Sequence, residues 1–413
     1  MINFEKFVLE NGLSVIVHQD KNTPVAAVNL LYDVGSRDED PKRTGFAHLF
    51  EHLMFGGSIN IPSFDSVLQQ VGGENNAFTN SNITNYYITL PKENLETAFW
   101  LESDRMLQLD FTQKNLDIQK NVVIEEFNQR YLNQPYGDIQ LLMKPLAYKV
   151  HPYQWPAIGK NPEHIANATL EEVKDFFYKH YAPNNAILTV AGNVDIKTVK
   201  NLAEKWFAPL PKREIAKRDL PQEPKQIKKR EKIAEKPVPF DAIYKSWHMC
   251  GRNHPDYHAT DLISDMLGTG KSSRLYHNLV QEQQLFSDIT AFITGDHDPG
   301  LIKISASLMK STTTEQAEEA IDKELVKIKN KRIDDKELIK VKNRIEFMLS
   351  VSEMNVLHKA INLSMAELLG DAADINHEIE KYRAVSEDDI LRICNEILTT
   401  ENSSVLKYHA IKK

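Results

Sequence analysis

The order of strand-like and helix-like segments in residues 1–211 recurs after residue 236, and this recurrence constrains the fold more than any single motif. In FVLENGLSVIV two β-prone runs flank Asn11-Gly12, the strongest short hairpin signal. A third run, VAAVNLLYDV, follows Pro24 and leads through the polar loop GSRDEDPKRTG to a helical segment, AHLFEHLMF. A helix stopped by Gly72-Gly73 comes next, then NNAFTN and TNYYITL as paired strands rich in β-branched and aromatic residues. Two long helices (about 93–108 and 113–132), a helix over 170–181 and the strand NAILTVAGNV complete the half. After residue 236 come a strand (FDAIYKSWHM), a polar turn, helices (ATDLISDML and about 274–282) and two strands (ITAFITG, GLIKISASLM). Long charged helices and a last strand, SSVLKYHAI, end the chain.

This pattern predicts an α+β fold built from a duplicated unit: two similar domains of roughly 200 residues, each a largely antiparallel sheet covered by helices. The boundaries follow from residues 212–236, where 10 Lys or Arg stand against 5 Asp or Glu with almost no large apolar residue. That stretch reads as a solvated, charged linker between domains 1–211 and 237–413. A basic run can also touch an acidic partner, but the formal charge of the whole chain is -8, which argues against nucleic acid or an anionic membrane as partner. Two cysteines, Cys250 and Cys394, have no ligand or redox spacing, and a reducing compartment is the simpler reading. The N-terminus never builds the apolar run of a signal peptide, and no stretch approaches the length of a membrane span, so a cytoplasmic location is expected.

The chemistry concentrates in His48-Leu49-Phe50-Glu51-His52. On a helix, steps of three and four residues return to nearly the same angle, so His48, Glu51 and His52 share one face. Two imidazoles can bind one metal ion with a carboxylate beside them, a donor set that suits zinc. The order H-x-x-E-H is the reverse of the commoner H-E-x-x-H. A catalytic zinc site needs a third protein ligand, and the helix around 113–132 offers one. Glu126 follows Val122 and Val123 by four and three residues and precedes Phe127, which places it on the inward apolar stripe. Glu125, by contrast, neighbours Asn121, Asn128 and Gln129 on the wetter side. A carboxylate on a buried face needs a partner, and metal coordination supplies one.

TGFAHLFEHLMFGGS, GGENNAFTN, TNYYITL and KNVVIEEF, in this order, resemble the pitrilysin and insulinase metallopeptidases, particularly the short-chain type that includes mitochondrial processing peptidase. LGTGKSSRLY extends the resemblance more thinly into the second half. The resemblance implies one zinc per chain, held by His48, His52 and Glu126, with Glu51 polarising the attacking water. It also implies that the strand carrying Asn76 and Ala77 is a sheet edge to which an extended peptide adds by main-chain hydrogen bonds. Family members form clamshell chambers of four such domains, so this chain corresponds to half of a clamshell.

Two features, at three positions, depart from the family pattern. Gln119 stands where members usually carry a glutamate seven residues before the third ligand, which removes a negative charge behind the metal. Val280 and Ser287 occupy the positions of the Arg and Tyr that stabilise the oxyanion in related enzymes. The expected working unit is therefore a heterodimer with a related subunit that carries the Arg/Tyr pair, acting on peptides or small unfolded proteins. A homodimer with altered activity is the alternative, as is a non-catalytic zinc-holding peptide-binding or scaffold subunit. LGTGKSSRLY is not a phosphate loop, because Asp265 takes the place of its first glycine and the preceding segment is helical. Arg274 and Tyr276 belong to the Gly-rich segment expected to line the chamber.

Overall fold

The computed structural model describes residues 1–215 and 217–411. In chain order the first part contains β1 (Glu5–Val8), β2 (Ser14–Gln19), β3 (Val25–Tyr32), α1 (Phe46–Leu53), α2 (Phe64–Gln70), β4 (Glu74–Thr79) and β5 (Thr84–Pro91). Helices α3 (Leu95–Leu107), α4 (Gln113–Phe127), α5 (Ile139–Ala147), α6 (Pro162–Ala166) and α7 (Leu170–His180) follow, then β6 (Ala186–Gly192) and α8 (Ile196–Trp206). The second part runs β7 (Arg230–Lys236), β8 (Ala242–His248), α9 (Tyr257–Gly268), a π-helical turn (Tyr276–Glu282), β9 (Phe286–Ile293) and β10 (Leu301–Leu308). It continues through α10 (Thr314–Asn330), α11 (Asp335–Ser352), α12 (Val356–Leu369), α13 (Glu378–Ala384) and α14 (Glu387–Ile397) to β11 (Ser403–Ala410).

The first sheet has the order β1-β2-β6-β3-β5-β4 and the second β7-β11-β8-β10-β9. Setting β1 aside, the two are the same topology: the first strand of each half pairs parallel with the last (β2 with β6, β7 with β11), and the other pairings are antiparallel. The duplicated α+β unit expected from element order is what the chain forms. The Asn11-Gly12 hairpin closes with Val8 opposite Ser14.

The segment 212–236 is not a solvated linker. Arg230–Lys236 is the edge strand β7, whose burial alternates so weakly that only Ala234 is buried. Without it β11 would leave its parallel edge unpaired, and charged residues are what a strand tolerates at an edge. Upstream, Arg213 donates to the carbonyls of Tyr181 (2.6 Å) and Leu107 (3.1 Å), and Arg218 to the carboxylates of Asp38 (2.6 Å) and Asp33 (3.0 Å). Downstream, buried Gln226 donates to the Ser403 carbonyl at 2.7 Å.

The compact units also differ from a simple halving of the chain. One comprises 1–129, 155–220 and 350–377; the other 130–154, 221–349 and 378–413. Thus α12, from late in the sequence, packs on the first sheet through Val356, Ala360 and Leu363 against Ala27, Leu31 and Ile187. Leu363 is fully buried, worth about 2 kcal/mol of apolar transfer. Its neighbour Ser364 accepts from Asn29 (2.9 Å) and donates to Thr189 (2.8 Å), a buried network that fixes where the helix sits. Correspondingly α5 covers the second sheet, with Met143 against Ala242, Leu406 and Tyr408. Helical periodicity shows that a helix buries a face, not which sheet receives it.

Candidate metal centre

Helix α1 is two turns long and buries Phe46, Ala47, Leu49, Phe50 and Leu53. Those positions leave His48, Glu51 and His52 on its half-buried face, as the three- and four-residue spacing requires. Helix α4 lies against α1 and buries Leu116, Val123 and Phe127. Glu126 is half-buried beside this stripe, whereas Val122, expected on the same inward face, is 44% exposed. The stripe turns with Val123 and Phe127 because α4 rests on its neighbours by one narrow edge, and Val122 falls outside it. Glu125 is exposed and accepts from Gln129 at 3.0 Å.

The two helices bring three donors to one point. Glu126 Oε2 lies 3.3 Å from His52 Nε2 and 3.6 Å from His48 Nε2, and the ligand atoms of all three residues fall within 4.8 Å of one another. A tetrahedron with zinc-to-ligand arms of ~2.1 Å has edges of about 3.4 Å, so the spacing and the two-imidazole, one-carboxylate chemistry both fit zinc. The imidazole rings stand nearly perpendicular, 77° apart with centroids at 4.8 Å, which keeps both Nε2 atoms convergent without stacking the rings. Among the described residues no other group of three or more His, Cys, Asp or Glu side chains is so arranged.

Below α1 lies an aromatic floor. Tyr86 reaches the Phe50 carbonyl at 3.4 Å, Tyr32 packs on Tyr86 and Tyr181, and the Arg105 guanidinium sits 4.4 Å from the Tyr86 ring centre. Burial pushes the Tyr86 and Tyr181 hydroxyls far above their usual range, and the nearby Glu51 charge adds to the effect. Both phenols stay neutral beneath the helix that carries His48, Glu51 and His52.

Gln119 is half-buried on α4, with its amide nitrogen 3.8 Å from where a side chain on Gly56 would begin. Asn76 and Ala77 are in β4, the edge strand of the first sheet, opposite Tyr87 and Tyr86. The Ala77 N–H donates to Asn76 Oδ1 at 2.8 Å. Val280 lies in the π-helical turn of the second unit, packed on that unit's core, and Ser287 is exposed on its edge strand β9, donating to the Ser307 carbonyl at 3.3 Å. Arg274 is held by Glu337 in a two-pronged ion pair (2.9 and 2.7 Å), and Tyr276 packs on the core. Asp265 lies within α9, as a helix rather than a strand before the Gly-rich turn requires. Both cysteines are free thiols, and burial pushes Cys394 up to about 12.

Sequence reasoning missed Glu39. This carboxylate is 6% exposed and receives N–H groups from Gly45 and Ala47, both at 2.9 Å, and the Trp155 indole at 3.1 Å. Burial pushes it up to about 8 against the pull of those three donors. Nothing in GSRDED distinguishes it from Asp38, which pairs with Arg218, or from the exposed Asp40.

Comparison with known proteins places these features in a family. Residues 14–145 match the family described as Insulinase (Peptidase family M16), and residues 167–345 match Peptidase M16 inactive domain. The zinc protease PqqE of Helicobacter pylori is 35% identical over 295 residues, 68% of this chain and just under two thirds (65%) of PqqE. The mitochondrial-processing peptidase subunit beta of Saccharomyces cerevisiae is 28% identical over 209 residues, 50% of this chain and 45% of that protein. A solved protease from Helicobacter pylori superposes with a TM-score of 0.93 at 28% identity, covering 99% of this chain and 100% of that one. Fold and donor set together define a zinc-metallopeptidase scaffold. The chain belongs to the pitrilysin/insulinase-type peptidase family, M16. Among the described residues no helix is long and apolar enough to cross a membrane.

Proposed function

We propose that this chain is the zinc-bearing subunit of an endopeptidase that hydrolyses peptides or small unfolded proteins. The observation that carries the reading is the convergence of His48, His52 and Glu126, with Glu51 one turn from His48 on the same helix face. His48, His52 and Glu126 would hold zinc, one ion per chain. Zinc supplies Lewis acidity that makes water a nucleophile near neutral pH. Glu51 accepts the proton of the attacking water and passes it to the leaving amine. Gln119, on the same helix as Glu126, leaves a neutral amide where a second negative charge would otherwise stand behind the metal. An extended peptide adds to the free edge of β4 at Asn76 and Ala77, displacing the Asn76 side chain from the Ala77 N–H.

Val280 and Ser287 offer no cation or phenol to an oxyanion, which supports a second, related chain that supplies an Arg/Tyr pair. That one relative is named as a subunit supports the same reading. The test is to purify the chain alone and mixed with its candidate partner, measuring bound zinc and cleavage of unstructured peptides. One zinc per chain with cleavage only in the mixture is expected. Full activity of the isolated chain replaces the heterodimer with a homodimer, and zinc binding without turnover in any mixture replaces the peptidase with a peptide-holding module.

A further inference from the structure

The pose of α1 depends on a cap that the helix cannot supply itself. Its N-cap residue is Gly45, held at φ 94°, and a Cβ there would sit 2.6 Å from the Ile158 carbonyl oxygen. Only glycine fits, so the side-chain oxygen that Ser, Thr, Asp or Asn would normally offer to the first turn is missing. The orphan N–H groups still need an acceptor, because this helix end is buried. Glu39 provides it from the preceding loop: one oxygen takes the Gly45 N–H and the other the Ala47 N–H, the residue immediately before His48. The carboxylate is itself fixed by the Trp155 indole, which also donates to the Ser36 carbonyl at 3.0 Å and is fully buried. A two-turn helix has too few internal hydrogen bonds to hold its own first turn. A frayed or shifted first turn would move His48 away from Glu126.

We propose that Glu39 is a positioning residue for the metal centre, acting through the N-terminus of α1 to aim His48 and His52 at Glu126. The proposal rests on the reading of His48, His52 and Glu126 as zinc ligands. Glu39 acts through the helix and not on metal or substrate directly: among the described residues its carboxylate is hydrogen-bonded by the Gly45 and Ala47 N–H groups and the Trp155 indole.

The test compares Glu39→Ala, Glu39→Gln and His48→Ala in the full chain. Zinc affinity is measured by chelator competition, and the visible spectrum of the cobalt(II)-loaded protein is recorded at saturating cobalt, which reports ligand geometry independently of affinity. Glu39→Ala is expected to weaken zinc binding roughly 10- to 100-fold, the range for partners that orient ligands, and to alter the cobalt spectrum. Glu39→Gln, which keeps one acceptor oxygen, is expected to recover part of the affinity and most of the spectrum. Wild-type affinity and spectrum in folded Glu39→Ala, with zinc lost from His48→Ala, overturn the positioning role alone. If Glu39→Ala does not fold, an unchanged affinity and spectrum in Glu39→Gln overturns it equally. Zinc retained by His48→Ala overturns the ligand assignment beneath it.

Discussion

Glu126 Oε2 stands 3.3 Å from His52 Nε2 although the two residues belong to different helices, α4 and α1. An imidazole and a carboxylate at that separation make an adequate ion pair, but His48 Nε2 at 3.6 Å from the same oxygen makes the arrangement a three-cornered one. Three donors facing a common point is the geometry of a metal ligand set.

Removing one corner should empty the site. His48→Ala and Glu126→Gln are each expected to weaken zinc binding by more than about 100-fold, a larger loss than for partners outside the ligand set. Metal content after dialysis against a weak chelator measures this. Either variant keeping its zinc refutes the ligand set.

Glu51→Gln separates proton transfer from metal binding. General-base removal is expected to lower kcat about 100- to 10,000-fold with zinc content unchanged. Assays with the reconstituted partner decide it, and turnover within a few-fold of wild type would assign the base elsewhere.

Gly268 closes α9 where the helix meets β9: a Cβ there would lie 1.9 Å from the Ala291 backbone nitrogen. Backbone cannot retreat as a flexible side chain can, so Gly268→Ala is expected to cost at least about 3 kcal/mol despite alanine's better helix propensity. Urea denaturation reads this directly, and a loss below about 1 kcal/mol contradicts the close approach.

His180 should set part of the acid sensitivity. Burial pulls it down to about 3, helped by the positive charges of Lys179 and Arg218. Between about 6.5 and 3 the unfolded chain takes up a proton that the folded one refuses, so stability is intact above pH 6.5 and declines as pH falls, by up to ~1.4 kcal/mol per pH unit. His180→Gln in the zinc-free protein is expected to flatten that decline. Equal slopes of unfolding free energy between pH 7 and pH 5 for both proteins would remove His180 from the account.

Local periodicity made much of the site legible. The spacing of His48, Glu51 and His52 places them on one helix face whatever the surroundings, because helix geometry is set by local backbone dihedrals and i→i−4 hydrogen bonds. Glu126 was legible through its position beside Val123 and Phe127, though the same argument misplaced Val122, since sequence does not say how wide a contact α4 makes. Strand β7 was hidden for a related reason. REKIAEK has the composition of a connector, and only the unpaired edge of β11 gives it a partner.

What the sequence determined by itself was most of the elements, their duplication and the donor residues on α1, which follow from patterns along single segments. The tertiary structure alone decided which parts meet: that α12 covers the first sheet and α5 the second, and that Glu39 rather than any residue of α1 caps the helix carrying His48 and His52. The reason is physical. Periodicity and propensity are properties of neighbours in sequence, whereas burial of a carboxylate against two N–H groups depends on where the rest of the chain stops.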